Sequence, residues 1–462
     1  MITPIMKNWK FALNNGRCGD FEGAELPDFD DSAWRTLNLP HDWQIENNRD
    51  PEMDGGEGQG FFPRNQCGWY RYRFNAPLEW KDKWIRLRFD GVQRFSTIYL
   101  NGTEAGGRPY GYVPFDVDLN RSLKYGEENV LAVTVDNAKG GGDRWYSGAG
   151  IYRRVELSVT DKVFIPRDGV TVAVVHLDAD AACIRVRAEV DNRTGKSARG
   201  EIQGRIEPPQ SGAAAFVFTL PFSIGADEKT TVESKIEIKN PRRWDIDDPA
   251  LYSLSLCLGE DTTFLRFGLR ETRFDGEEGF FLNNRPLKLK GVNLHHDGGA
   301  LGAAVPQAVW RRRFNKLKAL GCNAIRCSHN PQAEEFYDLA DETGFLVIDE
   351  VYDKWAPTEM YYKEFFDNWW ERDLEAMIRR DRNHPSVILW SVGNEVEYQN
   401  EERFYGQLAR MCDAARSLDP GRPVSAALIN PRESWPLEQR ISALMRYADI
   451  VDVLMLNYQE SY

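Results

Sequence analysis

The feature that most constrains this chain is a change of rhythm near residue 273. Before it, short runs alternate apolar and polar residues: Trp69-Tyr70-Arg71-Tyr72-Arg73-Phe74, then Ile85-Arg86-Leu87-Arg88-Phe89, then Thr97-Ile98-Tyr99-Leu100 ending at Asn101-Gly102. A period of two sends alternate side chains to opposite faces of a strand, and Asn-Gly is a hairpin signal, so residues 1–160 are expected to form an antiparallel β-sandwich. Runs of the same kind at 170–175, 183–188, 236–238 and 251–256 predict a second, smaller sandwich over 161–272. Beyond it, apolar strands alternate with longer segments of helical period, which is the βαβα pattern of a parallel sheet.

In that last part, 273–462, strands are expected at 287–292, 324–326, 345–348, 387–390, 424–427 and 450–456, with helices at 307–320, 333–343, 368–380 and 402–417. Strand–helix units in series suggest a (β/α)8 barrel, which closes only when all eight strands are present. Six are legible, so the barrel is expected to be incomplete within these 462 residues and the gene to continue past Tyr462. The fold class is therefore multidomain: two sandwiches, then an incomplete TIM barrel.

A formal charge of -13 without a block of Lys or Arg argues against nucleic acid as a partner. Seven cysteines lie scattered with no C-x-x-C pair and no Cys/His set at metal spacing, so neither a disulfide framework nor a zinc site is expected. Reduced thiols and the lack of a visible signal peptide fit a cytoplasmic protein, with secretion left open. No segment has the length and apolarity to span a membrane. A homo-oligomer is compatible with the sequence.

Barrel active sites lie at the C-terminal ends of the strands. There the chain places Asn293, His295, His296 and Asp297 after the first strand, Arg326 and His329 on the second, Asp349, Glu350 and Asp353 after the third, and Asn394-Glu395 after the fourth. A carboxyl in a partly desolvated strand mouth can donate a proton, and an adjacent amide can bind a sugar hydroxyl, a pairing suited to glycoside cleavage. The plainer alternative is that Asn394-Glu395 caps the next helix. Arg326 either orients a catalytic carboxylate or makes a structural ion pair, while His329 would bind hydroxyls. His295-His296 lacks a third ligand at metal spacing. In the first sandwich, the glycine-rich run Gly140-Gly141-Gly142-Asp143-Arg144-Trp145-Tyr146-Ser147-Gly148 reads as a sugar-binding loop or as a solvated turn whose Trp145 fills the core.

The run Asp381-Arg382-Asn383-His384-Pro385-Ser386-Val387-Ile388-Leu389-Trp390-Ser391-Val392-Gly393-Asn394-Glu395 resembles the acid/base signature of glycoside hydrolase family 2, the β-galactosidase, β-glucuronidase and β-mannosidase group. A second stretch, from Asn323 through Arg326, Ser328, His329 and Pro331 to Asp341 and Gly344, is similar to that family's other signature, with Asn330 where a Tyr is usual. Gly291-Val292-Asn293-Leu294-His295 resembles its first-strand motif, and Asp143-Arg144-Trp145 with Ser147-Gly148 its sugar-binding loop.

The resemblance implies a sugar-binding jelly-roll sandwich, an immunoglobulin-like sandwich and a catalytic barrel. It further implies Glu395 as general acid/base, a nucleophilic Glu beyond this chain, and a substrate pocket drawn from Asp143, His295, Arg326, His329, Asp353, Asn394 and Tyr458. Glu460 is not promoted to nucleophile. The large β-galactosidases hold magnesium with a Glu and a His after the third strand; Asp349-Glu350-Val351-Tyr352-Asp353-Lys354-Trp355 matches neither, so no metal or other cofactor is expected. Asp31-Ser32-Ala33-Trp34 and Leu39-Pro40-His41-Asp42-Trp43 resemble the β-galactosidase branch. The expected activity is retaining exo-hydrolysis of terminal β-galactosides, with carbohydrate as the partner. A β-glucuronidase and a non-catalytic carbohydrate-binding protein are the alternatives.

Overall fold

A computed structural model describes residues 1–14, 16, 18–52, 58–138, 143–210, 212–356, 365–396, 401–429 and 436–458. It divides into two compact units, one of Met1–Lys162 with His296–Val309 and Ala356–Asn368, the other of Val163–His295, Trp310–Trp355 and Trp369–Tyr462.

In the first unit a six-stranded sheet, ordered Arg35–Leu37, Trp9–Asn14, Cys67–Asn75, Glu128–Asp136, Ser96–Leu100, Thr103–Arg108, faces a four-stranded sheet ordered Ile2–Pro4, Val155–Thr160, Trp84–Phe89, Phe115–Asp118. Alternation sends Ile85, Leu87 and Phe89 inward to join Trp9, Trp43, Tyr70 and Val133 in the core between them. The Asn101-Gly102 pair has φ of 52° and 84°, the left-handed geometry of a two-residue hairpin turn, and leads directly into Thr103–Arg108.

The cysteine expectation is corrected here. Cys18 and Cys67 form a disulfide across 49 residues of sequence, with Cα atoms 5.1 Å apart, tying the short helical turn Cys18–Asp20 to the strand Cys67–Asn75. Spacing rules look for cysteines close in sequence, whereas this pair meets only because the sheet brings a distant turn onto the strand. Cys183, Cys257, Cys322, Cys327 and Cys412 are free.

The second unit opens with the smaller sandwich, whose two sheets bury Ile184, Val186, Ile202, Leu220 and Leu254. Its barrel part is a six-stranded parallel sheet in sequence order: β1 (Gly291–Leu294), β2 (Ala324–Cys327), β3 (Leu346–Glu350), β4 (Val387–Asn394), β5 (Val424–Leu428) and β6 (Met455–Leu456). Between them run α1 (Gln307–Ala319), α2 (Glu334–Thr343), α3 (Phe366–Asp381), α4 (Glu402–Leu418) and α5 (Leu437–Ala448). Among the described residues, no helix is long and apolar enough to cross a membrane.

Two strands begin later than their apolar runs predict. Leu287 bonds back to Phe280 and Arg285–Pro286 pairs with Phe281 and Leu282, so the run opens against a small antiparallel sheet and β1 begins only at Gly291. In the last strand, Asp452 donates its backbone N–H to the Val424 carbonyl at 2.9 Å, while its carboxylate accepts from the Val424 N–H at 2.8 Å and pairs with Arg416 at 2.9 Å, and regular pairing with β5 begins only at Met455.

The turn from α3 to β4 anchors the barrel to the sandwich within this unit. Asn383 donates to the Val170 carbonyl at 2.8 Å and accepts from the Val172 N–H at 2.9 Å, as a strand neighbour would, and Arg382 reaches the Asp168 carbonyl at 2.9 Å. His384 bonds Asp341 of α2 at 2.6 Å. Burial works against the charged imidazole, but the Asp341 carboxylate and its hydrogen bond outweigh this, and His384 is pushed up to about 9 from an ordinary 6.5. The folded state thus holds this proton more tightly than the unfolded chain, so the pair's contribution is full below about pH 6.5 and is lost as pH rises through about 9. The urea midpoint is expected to fall across that window by the equivalent of about 3 kcal/mol. His384→Gln should start lower and lack the slope; an unchanged slope in that variant would exclude His384 as its source.

Candidate active site

The exits of β2, β3, β4 and β6 meet in one polar network. β3 ends in two acids, and strand alternation sends them to opposite sides. Asp349 turns outward to α2, where the Tyr337 hydroxyl donates to it at 2.7 Å. Glu350 turns inward and is fully buried. Its Oε2 accepts from Arg326 at 2.7 and 3.2 Å and from the Ser391 hydroxyl at 2.6 Å, while Oε1 lies 2.6 Å from His329 Nδ1. Burial alone would push this carboxyl up, but Arg326, His329 and Ser391 prevail and hold it below the usual carboxylate range.

Arg326 extends the network by donating to Asn394 Oδ1 at 2.8 Å, an oxygen that also accepts from Asn457 at 2.9 Å. The Asn394 amide donates to Asp353 Oδ1 at 2.9 Å. Asn457 in turn donates to Glu395 Oε1 at 2.8 Å. Glu395 is 8% exposed and leaves β4 with φ of 45°, its N–H bonded to the Ala427 carbonyl of β5 at 2.8 Å. Behind it, Gly393 leaves room for the Trp355 indole, which a Cβ there would meet at 2.8 Å. The His295 ring stands edge-on to His329 with centroids 5.7 Å apart.

Within this unit, then, His295, Arg326, His329, Asp353, Asn394 and Glu395 are brought together, all from strand ends. Arg326, read either as orienting a catalytic carboxylate or as making an ion pair in the barrel mouth, pairs with Glu350 and donates to Asn394. Tyr458 is 68% exposed, and its neighbour Asn457 is the residue that reaches Glu395. Glu460 lies outside the described residues. Sequence reasoning placed Glu350 after the third strand without giving it a role, and did not single out Ser391 or Asn457. For Glu350 the available signal was parity along β3, which puts it on the same side as Leu346 and Ile348.

After β3, Lys354 is buried, its ammonium 3.8 Å from Asp353 Oδ1 and 3.3 Å from the Asn394 carbonyl.

Asp143 belongs to the first unit, and the glycines 140–142 before it lie outside the described residues. Asp143 is buried and accepts from the Tyr112 hydroxyl at 3.1 Å, which itself accepts from the Trp145 indole N–H at 3.1 Å. Gln59 donates to the carbonyls of Asp143 and Trp145 and accepts from the Ser147 hydroxyl at 3.0 Å. Asp42 accepts from the Tyr146 hydroxyl at 2.6 Å and from the N–H groups of Ala149 and Ala303 at 2.9 and 2.8 Å. Gly148, at φ of 68°, makes this approach possible, since a Cβ there would lie 2.7 Å from Asp42 Oδ2. The loop is thus preset by two buried side chains, Asp42 and Gln59, with Trp145 packed inside.

Three family models match in succession: the sugar-binding domain of glycosyl hydrolases family 2 over residues 5–161, glycosyl hydrolases family 2 over 167–270 and the family's TIM-barrel domain over 275–429. The chain belongs to glycoside hydrolase family 2. It is 41% identical to a β-galactosidase of Bacteroides ovatus, over 98% of this chain and 56% of that protein. Among solved structures it resembles a family 2 member from Bacteroides cellulosilyticus (TM-score 0.89, 32% identity, 99% of this chain and 59% of that one). It also resembles a β-glucuronidase of Bacteroides uniformis (TM-score 0.83, 27% identity, 99% and 55%). The chain therefore spans a little over half the length of these relatives.

Proposed function

We propose that this chain supplies the acid/base half of a retaining β-glycosidase that removes terminal β-galactosides. The observation that carries the reading is a buried carboxyl, Glu395, at the exit of β4, held 2.8 Å from Asn457 and set beside the amide of Asn394. In this mechanism Glu395 protonates the glycosidic oxygen as the C–O bond breaks, and a second carboxylate captures the anomeric carbon. Glu395 then takes a proton from the water that releases the sugar. The second carboxylate is proposed to be a glutamate from barrel strands beyond those described, roughly 5–5.5 Å from Glu395, the separation retention requires. Asp143, His295, His329, Asp353 and Tyr458 are proposed to bind sugar hydroxyls, and no cofactor is assigned. The likeness to the Bacteroides ovatus β-galactosidase supports the choice of galactoside.

The test is turnover by the complete gene product of 4-nitrophenyl β-galactoside and 4-nitrophenyl β-glucuronide, with the first-formed anomer followed by NMR. Preference for galactoside and initial β-anomer are expected. A preference for glucuronide would move the protein to the alternative its other relatives suggest, initial α-anomer would refute retention, and binding without turnover of either sugar would leave a carbohydrate-binding protein.

A further inference from the structure

The chemistry above gives no role to a buried cation that lies against the Asn394–Glu395 turn. Lys354 follows Asp353 beyond β3, and its side chain is only 7% exposed, an unusual place for an ammonium. It donates to two successive backbone carbonyls, those of Asn394 at 3.3 Å and of Glu395 at 2.5 Å, and stands 3.8 Å from Asp353 Oδ1. These two carbonyls flank the point where β4 stops. Glu395 there has φ of 45°, a left-handed conformation disfavoured for any residue with a Cβ and sustained only where neighbours fix it.

Among the described residues, three bonds anchor Glu395. Its N–H is bonded to the Ala427 carbonyl of β5, its C=O to Lys354, and its carboxyl to Asn457. The first two fix the direction of the Cα–Cβ bond, and the third fixes the tip of the side chain. A charged donor in a water-poor setting holds a carbonyl more firmly than a neutral one, so Lys354 is the strongest of the backbone ties.

Resting on the acid/base reading of Glu395, we propose that Lys354 is a positioning residue for that acid: its ammonium locks the Asn394–Glu395 turn and aims the Glu395 carboxyl at the leaving-group oxygen. Loss of the tie releases the left-handed turn and misplaces the proton donor. The damage then falls on bonds that need protonation and spares bonds that break without it.

The experiment uses the complete gene product with Lys354→Met, Lys354→Arg and Glu395→Gln, and a series of aryl β-glycosides of the accepted sugar running from 2,4-dinitrophenyl to phenyl. For Lys354→Met, kcat/KM on the phenyl glycoside is expected to fall about 30- to 100-fold, within the range general acid catalysis supplies, and on the dinitrophenyl glycoside no more than about threefold. Lys354→Arg keeps the charge and the donors and should lie between parent and Lys354→Met, which preserves the test if the apolar variant folds poorly. An equal loss across the series, or no loss on the phenyl glycoside, overturns the proposal. If Glu395→Gln shows the leaving-group dependence and the Lys354 variants do not, only the role of Lys354 fails; if Glu395→Gln shows none, the acid/base reading itself has failed.

Discussion

Replacing Glu395 by Gln is expected to slow the complete enzyme about 10²- to 10⁴-fold on substrates with poor leaving groups, while cleavage of an activated aryl glycosidic bond is nearly unaffected. The change is close to isosteric. The amide oxygen of Gln can still accept from Asn457, which lies 2.8 Å from the carboxyl in the parent, so the network around Asn394 should persist and only the transferable proton is lost. In the proposed mechanism, release of the sugar from the second carboxylate also needs Glu395, now as base. An activated substrate should therefore give a rapid burst of phenol followed by slow turnover, the mark of an accumulating glycosyl-enzyme. Azide needs no base to attack, and adding it should restore turnover and yield a glycosyl azide of β configuration. The decisive comparison is the burst against the steady rate in stopped flow. A uniform loss over all leaving groups would mean that Glu395 shapes the site without donating a proton.

How much of this arrangement the sequence discloses depends on whether the determining contact is local. Period-two runs and Asn101-Gly102 define sandwich strands because their geometry is set by neighbours one or two residues away. The position of Asn394-Glu395 at a strand exit is legible for the same reason, since eight buried residues, Val387–Asn394, lead up to it. The signature containing it is more informative than its chemistry alone suggests. Its first part, Arg382, Asn383 and His384, is spent on docking the α3–β4 turn to Asp168, Val170 and Asp341, and only its end faces the network. Partners far apart in the chain are what sequence reading loses. Cys18 meets Cys67 across a sheet, Asn457 meets Glu395 from β6, and the late starts of β1 and β6 follow from pairings with Phe280 and Val424 that no local rule encodes.

The residue with most to lose from such non-local pairing is Glu350. Truncation by Glu350→Ala is expected to cost about 3–5 kcal/mol, because Arg326 would keep its charge in a buried setting without the carboxylate that balances it. Glu350→Gln should cost less, since an amide oxygen can still accept from Arg326 or Ser391, yet it removes the charge that His329 and Arg326 both face at 2.6 and 2.7 Å. A double-mutant cycle isolates the point. Arg326→Met alone takes the guanidinium from the Glu350 carboxylate and leaves it only His329 and Ser391, Glu350→Gln alone leaves the guanidinium without a balancing charge, and the pair together removes both charges. The double variant should therefore be more stable than the sum of the single losses by at least about 1.5 kcal/mol. Denaturant midpoints of the four proteins measure this directly. Catalysis should not recover with stability, because Arg326 also holds Asn394 Oδ1, the oxygen shared with Asn457 beside Glu395. A double variant that regained stability and activity together would show that Arg326 serves only as the counterion of Glu350; additive losses would show that the two groups do not depend on each other at all.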